Sequence, residues 1–251
     1  MITNPQSGTT IDEIADGIYR INTPVPPAVM EGGFSFNQYL IRDAEPVIFH
    51  TGPRALFPLV SEAISHVLPV SQLRYVSFSH FESDECGSLN DFLALAPNAE
   101  PLVSRVAAMV SVNDLAMRPA RAMSDGERLT LSGGRTLRWI DAPHLPHNWE
   151  TGYLFDEQTA TLFCGDLFTQ GGADTPPLTS GDILGPSEVF RRNGMSGMPD
   201  YWSESRNARA IFERLAATHP HTLACMHGSA WSGNGNGDGA ALIMALADTV
   251  A

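Results

Sequence analysis

The sequence predicts one α/β (α+β) domain in which β-sheets are sandwiched between helices. Short β-rich segments alternate with segments whose apolar residues recur at helical spacing, from the first strand to the last helix. With 251 residues the chain is long enough to bury a substantial core. No shift in composition marks a boundary, so residues 1–251 are expected to form a single domain.

In the N-terminal half, β-rich runs predict strands and apolar residues at helical spacing predict helices. The elements are a hairpin over residues 11–23 that turns at Asp16-Gly17, strands over 37–42, 46–50 and 75–78, and helices over 55–67 and from 89 onward. Residues 101–123 predict a short strand followed by helical segments.

The C-terminal half continues the alternation. The predicted strands cover residues 136–140, 152–156, 160–166 and 222–226, and the predicted helices cover 203–217 and 240–250. Residues 170–200 are rich in Gly, Pro, Ser and Met, which predicts a long irregular loop or lid. Met195 and Met198 in this segment are candidates to pack over a site.

Charge and composition exclude several classes of partner. All basic residues other than histidine are Arg, and the net charge of −13 argues against nucleic acid or an anionic membrane. No apolar run approaches the roughly 18 residues of a membrane span. The first residues form no recognisable signal peptide, and three distant cysteines predict no disulfide framework. A cytoplasmic protein is therefore expected.

Four predicted strand ends carry residues that could bind a metal. They are His80 with Glu82, Asp84 and Glu85, then His147, then Asp166, and finally His227. Each has a simpler interpretation, since carboxylates suit a helix N-terminus and a lone histidine is usually structural. Four strand ends that carry only His, Asp or Glu nevertheless make a shared metal site the better hypothesis.

The type of ligand indicates which metals would suit such a site. Imidazoles and carboxylates without any thiolate form a hard, oxygen-rich set, which favours iron or manganese, although zinc also binds carboxylates. Anionic ligands favour the higher oxidation state of a metal because they compensate its added charge. Glu82 therefore favours redox chemistry, whereas a hydrolytic dizinc site keeps more positive charge on its bound water.

The motifs also resemble a known family. His80-x-Glu82-x-Asp84, His147-x-x-Glu150-Thr151, Cys164-Gly-Asp166 and Met226-His-Gly follow, in order, the pattern of the metallo-β-lactamase superfamily. They are most similar to the diiron domain of flavodiiron proteins and to stand-alone oxygen-binding diiron proteins, because hydrolytic members typically have His in place of Glu82. The resemblance implies an αββα sandwich and covers roughly residues 15–232.

The resemblance implies two iron ions. One would be held by His80, Glu82 and His147, the second by Asp84 and His227, and Asp166 would bridge them. The chain departs from the pattern twice. Glu85 stands where flavodiiron proteins have His, so the second iron either gains a carboxylate or keeps an open position. His50 stands where members often have an Asp that supports the ligands from behind.

These features predict a non-haem diiron protein that binds dioxygen and reduces or senses it, with nitric oxide as another ligand. Flavodiiron proteins carry a fused flavodoxin domain, which is not expected here, so turnover would need a separate electron donor. A homodimer is expected by analogy. The alternatives are a dinuclear zinc hydrolase of an ester or phosphoester, and a binding protein with a degenerate site.

Overall fold

The computed structural model describes residues 1–193, 200–233 and 239–251, and two mixed β-sheets organise these ranges. In spatial order, the strands of the first sheet are β1 (Ile2–Asn4), β2 (Thr9–Ala15), β3 (Ile18–Val25), β4 (Phe34–Ile41), β5 (Val47–Phe49), β6 (Tyr75–Ser77), β7 (Glu100–Ser104) and β8 (Arg121–Met123). Neighbours are antiparallel up to β5 and parallel from β5 to β8.

The second sheet contains the remaining described strands. They are β9 (Arg128–Thr130), β10 (Thr136–Asp141), β11 (Gly152–Asp156), β12 (Thr161–Gly165), β13 (Leu178–Thr179), β14 (Thr222–Cys225) and β15 (Ala230–Ser232). Their spatial order is β13-β15-β14-β12-β11-β10-β9. Because β12 and β14 are parallel neighbours, the residues that follow them emerge side by side.

Helices connect the strands. They are α1 (Phe57–Ser65), α2 (Ser83–Cys86), α3 (Leu89–Leu95), α4 (Arg105–Ala107), which continues through a π-helical turn (Ala108–Val112) into α5 (Asn113–Leu115), and then α6 (Leu184–Asn193), α7 (Ala208–Ala216) and α8 (Gly239–Val250). Short 3₁₀ turns cover Arg54–Leu56 and Val70–Gln72.

Three apolar layers hold the sheets and helices together. Residues such as Tyr39 and Trp139 point between the two sheets and form the middle layer. The outer face of the first sheet packs against α1 and α3, and the outer face of the second packs against α7 and α8. This arrangement is the predicted αββα sandwich, and the fold prediction is confirmed.

The helix predicted over residues 203–217 is shorter, since α7 covers Ala208–Ala216, and two further stretches differ in the type of element. Residues 121–123 were predicted to be helical but form β8, because Pro119 ends the helical stretch and Arg121 pairs in parallel with Leu102. Residues 184–193, predicted as irregular, form α6, in which Glu188 pairs with Arg191 and Arg192 at helical spacing. Met195 and Met198, and residues 234–238 of the Gly-rich turn, lie outside the described residues.

Gly152, the first residue of β11, provides a test of the packing between the sheets. A Cβ atom at this position would overlap the buried indole ring of Trp139. We expect Gly152→Ala to lower the free energy of unfolding by about 1–3 kcal/mol, as overpacking does elsewhere. Urea unfolding would measure the loss. Gly181→Ala is the control, since Gly181 is exposed and meets only Thr179 Oγ1 at 3.3 Å; an equal loss in both variants would contradict the prediction.

Candidate metal centre

All seven predicted ligands lie in segments that follow a strand, and the structure brings them together. His80 and Glu82 follow β6, Asp84 and Glu85 lie on α2, His147 lies between β10 and β11, Asp166 follows β12, and His227 follows β14. The loop predicted for residues 82–86 therefore contains one short helix. It turns Asp84 and Glu85 toward the side chains that arrive from the second sheet.

The first group of side chains consists of His80, Glu82, His147 and Asp166, whose candidate ligand atoms all lie within 4.8 Å of one another. Nε2 of His80 lies 2.9 Å from Nε2 of His147, and both nitrogens lie close to Oε2 of Glu82, at 3.1 and 3.0 Å. Two ligands bound to one ion at about 2.0–2.2 Å are at most about 4.4 Å apart, so this spacing suits a single metal ion.

The second group consists of Asp84, Glu85 and His227, and it adjoins the first. Nε2 of His227 lies 3.4 Å from Oδ2 of Asp84. Oε2 of Glu85 lies 3.8 Å from Nε2 of His80, which belongs to the first group. The two groups are therefore close enough for two ions to share a ligand.

Asp166 lies between the two groups. Its Oδ2 atom is 3.5 Å from Nε2 of His80 and 3.7 Å from Nε2 of His147, whereas its Oδ1 atom is 3.3 Å from Nε2 of His227. One carboxylate oxygen thus faces each group. This is the placement that a bridging ligand requires.

The three imidazoles share one orientation, in which Nδ1 contacts a protein oxygen and Nε2 faces the interior of the site. The contacts are His80 with Ser79 Oγ at 2.8 Å, His147 with the Tyr201 carbonyl at 3.0 Å, and His227 with the Ser35 carbonyl at 2.8 Å. A carbonyl can only accept, so Nδ1 of His147 and of His227 donates. Such bonds leave Nε2 available and raise its basicity as a metal ligand.

The pKa shifts within the cluster indicate that a bound cation would stabilise it. The hydrogen-bonding contacts with His147 and His80 lower the pKa of Glu82 to about 2. Burial alone would lower the pKa of His227, but its hydrogen bonds to Asp166 and Asp84 raise that pKa to about 10. For Glu85, burial raises the pKa well above its ordinary value, and the charges of Asp166 and Asp84 raise it further. Four carboxylates in so small a volume favour a bound cation.

Unsatisfied buried atoms also show that metal ions fit here. Glu85 is fully buried, and neither of its carboxylate oxygens has a hydrogen-bond partner among the residues that the structure describes. Oδ1 of Asp166 makes no hydrogen bond of standard geometry either, and its recorded contact is the ion pair with Nε2 of His227 at 3.3 Å. Buried polar atoms are rarely left without partners, and a metal ion would satisfy these three. The donor set of nitrogen and carboxylate oxygen suits iron, manganese or zinc.

A cavity of about 300 Å³ opens onto the cluster. Its walls are mostly apolar and include Phe34, Phe36, Phe190 and Tyr201. The ring of Phe34 lies 4.3 Å from that of His227, and Phe190 stacks on Phe34 with 5.5 Å between ring centroids. The aromatic walls therefore begin directly at a candidate ligand.

Sequence reasoning did not identify the residues that orient the imidazoles. Ser35 and Tyr201 act through backbone carbonyls, which leave no mark on the residue type. Ser79 acts through its side chain, and its position immediately before His80 was the available signal. Phe190 was missed because its helix was predicted as irregular chain.

An αββα sandwich whose strand ends carry a histidine- and carboxylate-rich cluster defines a metallo-β-lactamase-like protein. Residues 34–228 match the family described as "ODP family beta lactamase". The chain belongs to this family, and the resemblance drawn from its motifs is confirmed.

Relatives and solved structures connect the chain with flavodiiron proteins. A putative diflavin flavoprotein A 1 of Thermosynechococcus vestitus is 29% identical over 203 residues, which cover 79% of this chain and 34% of that protein. The structure of a fragment of putative diflavin flavoprotein A 5 from Nostoc sp. has a TM-score of 0.77 at 19% identity and covers 96% of this chain and 94% of the fragment. Rubredoxin oxygen:oxidoreductase from Desulfovibrio gigas has a TM-score of 0.73 at 17% identity, covering 89% of this chain and 58% of that one.

The chain spans between 24% and 34% of the length of the first curated relatives that it matches. The structural likeness, below 25% identity, concerns the fold. Among the described residues, no helix combines the length and the apolar character that crossing a bilayer requires.

Proposed function

We propose that this chain holds two iron ions and reduces dioxygen or nitric oxide. His80, Glu82 and His147 would hold the first ion, Asp84, Glu85 and His227 would hold the second, and Asp166 would bridge them. Bound iron would supply the electrons that the gas accepts. The single observation that carries the proposal is the position of Asp166, with one oxygen facing each group of ligands.

The walls of the cavity support a small, uncharged ligand. Phe34, Phe36 and Phe190 offer no hydrogen bonds to a charged substrate and line the space next to His227. Transfer of dioxygen or nitric oxide from water into an apolar pocket costs little free energy. A phosphoester would lose its hydration there without compensating hydrogen bonds. The protein thus contributes an apolar entrance that leads to a cluster of charged side chains.

Glu82 supports iron over the hydrolytic zinc alternative. Its Oε2 atom lies 3.1 and 3.0 Å from Nε2 of His80 and His147, and these contacts lower its pKa, so it adds a negative charge to the first group. With Asp84, Glu85 and Asp166, it brings the number of carboxylates to four for two ions. Such a set stabilises the oxidised form of a metal pair and weakens its power to acidify bound water.

The source of electrons is part of the proposal. Relatives include a protein named anaerobic nitric oxide reductase flavorubredoxin, from Salmonella arizonae, of which this chain covers 30%. We expect this chain to receive electrons from a separate donor and to act as a homodimer in the cytoplasm.

The proposal is tested with protein purified from iron-supplemented and zinc-supplemented cultures. We expect two iron ions per chain from the first culture, and consumption of dioxygen or nitric oxide when the protein is chemically reduced, freed of excess reductant and then mixed with the gas. The same protein reloaded with zinc is expected to consume neither gas. Metal analysis and a gas electrode provide the measurements.

The opposite result would support the hydrolase. Two zinc ions per chain from both cultures, no gas consumption, and cleavage of an ester or phosphoester would contradict the diiron proposal. Negligible metal content under both conditions would contradict both functions and indicate a degenerate site.

A further inference from the structure

A chain of three buried side chains lies behind the first group of ligands. Oγ of Ser79 lies 2.8 Å from Nδ1 of His80 and 3.0 Å from Nε2 of His50. All three residues are at most 2% exposed. We propose that His50 is a positioning residue, which acts through Ser79 to hold the tautomer and orientation of His80. The inference rests on the proposed role of His80 as a metal ligand.

The direction of the hydrogen bonds follows from the number of protons. His80 can bind a metal ion through Nε2 only when its own proton is on Nδ1, which then donates to Oγ of Ser79. The serine hydroxyl has a single proton, and Nε2 of His50 is the acceptor placed to receive it. His50 must then carry its proton on Nδ1. The relay thus runs from His80 to Ser79 to His50.

Two features of His50 are energetically unfavourable, and packing explains neither of them. Its Nδ1 atom has no hydrogen-bond partner among the described residues, and an unsatisfied buried donor costs about 1–3 kcal/mol. Its backbone φ is 64°, a value that residues other than glycine adopt infrequently. A purely apolar side chain would avoid the first cost. The contact with Ser79 gives a reason for an imidazole at this position.

The middle of the relay is fixed from two sides. The backbone carbonyl of Ser79 accepts a hydrogen bond from the amide of Gly152 at 2.9 Å, which ties it to β11. On the other side, a Cβ atom on Gly165 would lie 2.9 Å from Oγ of Ser79. Glycine at position 165 therefore leaves the space that the hydroxyl occupies. Ser79 has little freedom to choose other partners.

The test compares three variants of the whole chain: Ser79→Ala, His50→Asn and His50→Gln. The amide of glutamine can reach the place of Nε2 and accept from Ser79, whereas that of asparagine is too short. Zinc is the probe because it is diamagnetic, and a chromophoric chelator measures its affinity by competition. We expect Ser79→Ala and His50→Asn to bind zinc about 10- to 100-fold more weakly, as loss of outer-shell partners does elsewhere. His50→Gln is expected to stay near the wild-type value.

A second readout reports the tautomer of His80 directly. Long-range ¹H–¹⁵N NMR spectra of the zinc-loaded protein are expected to show a protected Nδ1 proton on His80 in the wild type and in His50→Gln. The same signal should exchange rapidly with water in Ser79→Ala. A merely structural residue would not change this signal while the fold stays intact, and thermal unfolding of each metal-free variant verifies that intactness.

The alternative is that position 50 matters only for its backbone conformation at positive φ. In that case the two His50 variants would rank in the reverse order. Asparagine adopts positive φ more easily than glutamine, so His50→Asn would then be harmless and His50→Gln harmful. That order, or an unchanged His80 signal in Ser79→Ala, would overturn the proposal. Failure of the iron protein to reduce a gas would leave the zinc results unaffected, so failure of the relay and failure of the proposed function are distinguishable.

Discussion

Asp166→Asn is expected to reduce the metal content from two ions per chain to at most one, and to lower gas consumption by more than about 100-fold. Asparagine keeps the shape of the side chain but removes the charge that both groups of ligands face. An amide offers one oxygen, so it can face only one of the two groups. Elemental analysis of the purified variant, followed by the gas electrode, measures both effects.

Two controls separate loss of the bridge from loss of the fold. Asp174→Asn changes an exposed carboxylate and should keep two ions and full activity. Asp166→Asn without metal should fold but be somewhat less stable than the metal-free wild type, because the effect of burial is outweighed by His227 and His80, which lower the pKa of Asp166, so the folded protein favours its charged form. Retention of two ions by Asp166→Asn would mean that another group joins the metals.

Much of the fold could be predicted because its elements follow local rules. The opening hairpin turns at Gly17, where φ is 69°, and the buried strands β11, β12 and β14 have near-continuous apolar runs. The errors lie where tertiary contacts outweigh local composition. β8 forms because it can pair with the edge of β7, and α6 forms although Gly185 lies in its first turn, where Pro186 is tolerated.

The candidate ligands and the strands that they follow could be predicted from the sequence. Which of these side chains are buried could not. Glu82 and Glu85 are three residues apart and look alike in the sequence. In the structure, the side chain of Glu82 is 51% exposed, whereas that of Glu85 is 0% exposed. The difference arises from α2, whose turn directs Glu85 inward. No local pattern of polar residues distinguishes the two sides of so short a helix.

The two departures from the family patterns gain a physical meaning from the structure. Glu85 stands where the flavodiiron pattern has an imidazole, and His50 stands where superfamily members often have an acid. Both side chains are fully buried. The exchange therefore keeps one acid and one imidazole in the buried shell while moving the negative charge from behind His80 to the metal cluster itself. A carboxylate in that position should favour the oxidised metal pair.

Glu85→Gln is expected to have opposite effects on the metal-free and the metal-loaded protein. Without metal, neither carboxylate oxygen of Glu85 has a hydrogen bond of standard geometry among the described residues, so a neutral amide should raise the free energy of unfolding at pH 8 by about 1–3 kcal/mol. With metal, the second ion loses an anionic ligand and should bind at least about 10-fold more weakly. Urea unfolding with and without iron(II), under anaerobic conditions, measures both changes.

The dependence of these effects on pH distinguishes a buried carboxyl from a general change in packing. Burial raises the folded-state pKa of Glu85 above its ordinary value of 4.5, so the stability it contributes is complete below that value and is lost as pH rises. The advantage of Glu85→Gln in the metal-free protein should therefore be small near pH 4 and grow toward pH 8. Glu31→Gln, at an exposed position, should show no such trend. An advantage for Glu85→Gln that stays constant from pH 4 to 8 would show that Glu85 does not lie unpaired in the interior, and would remove the argument for it as a ligand.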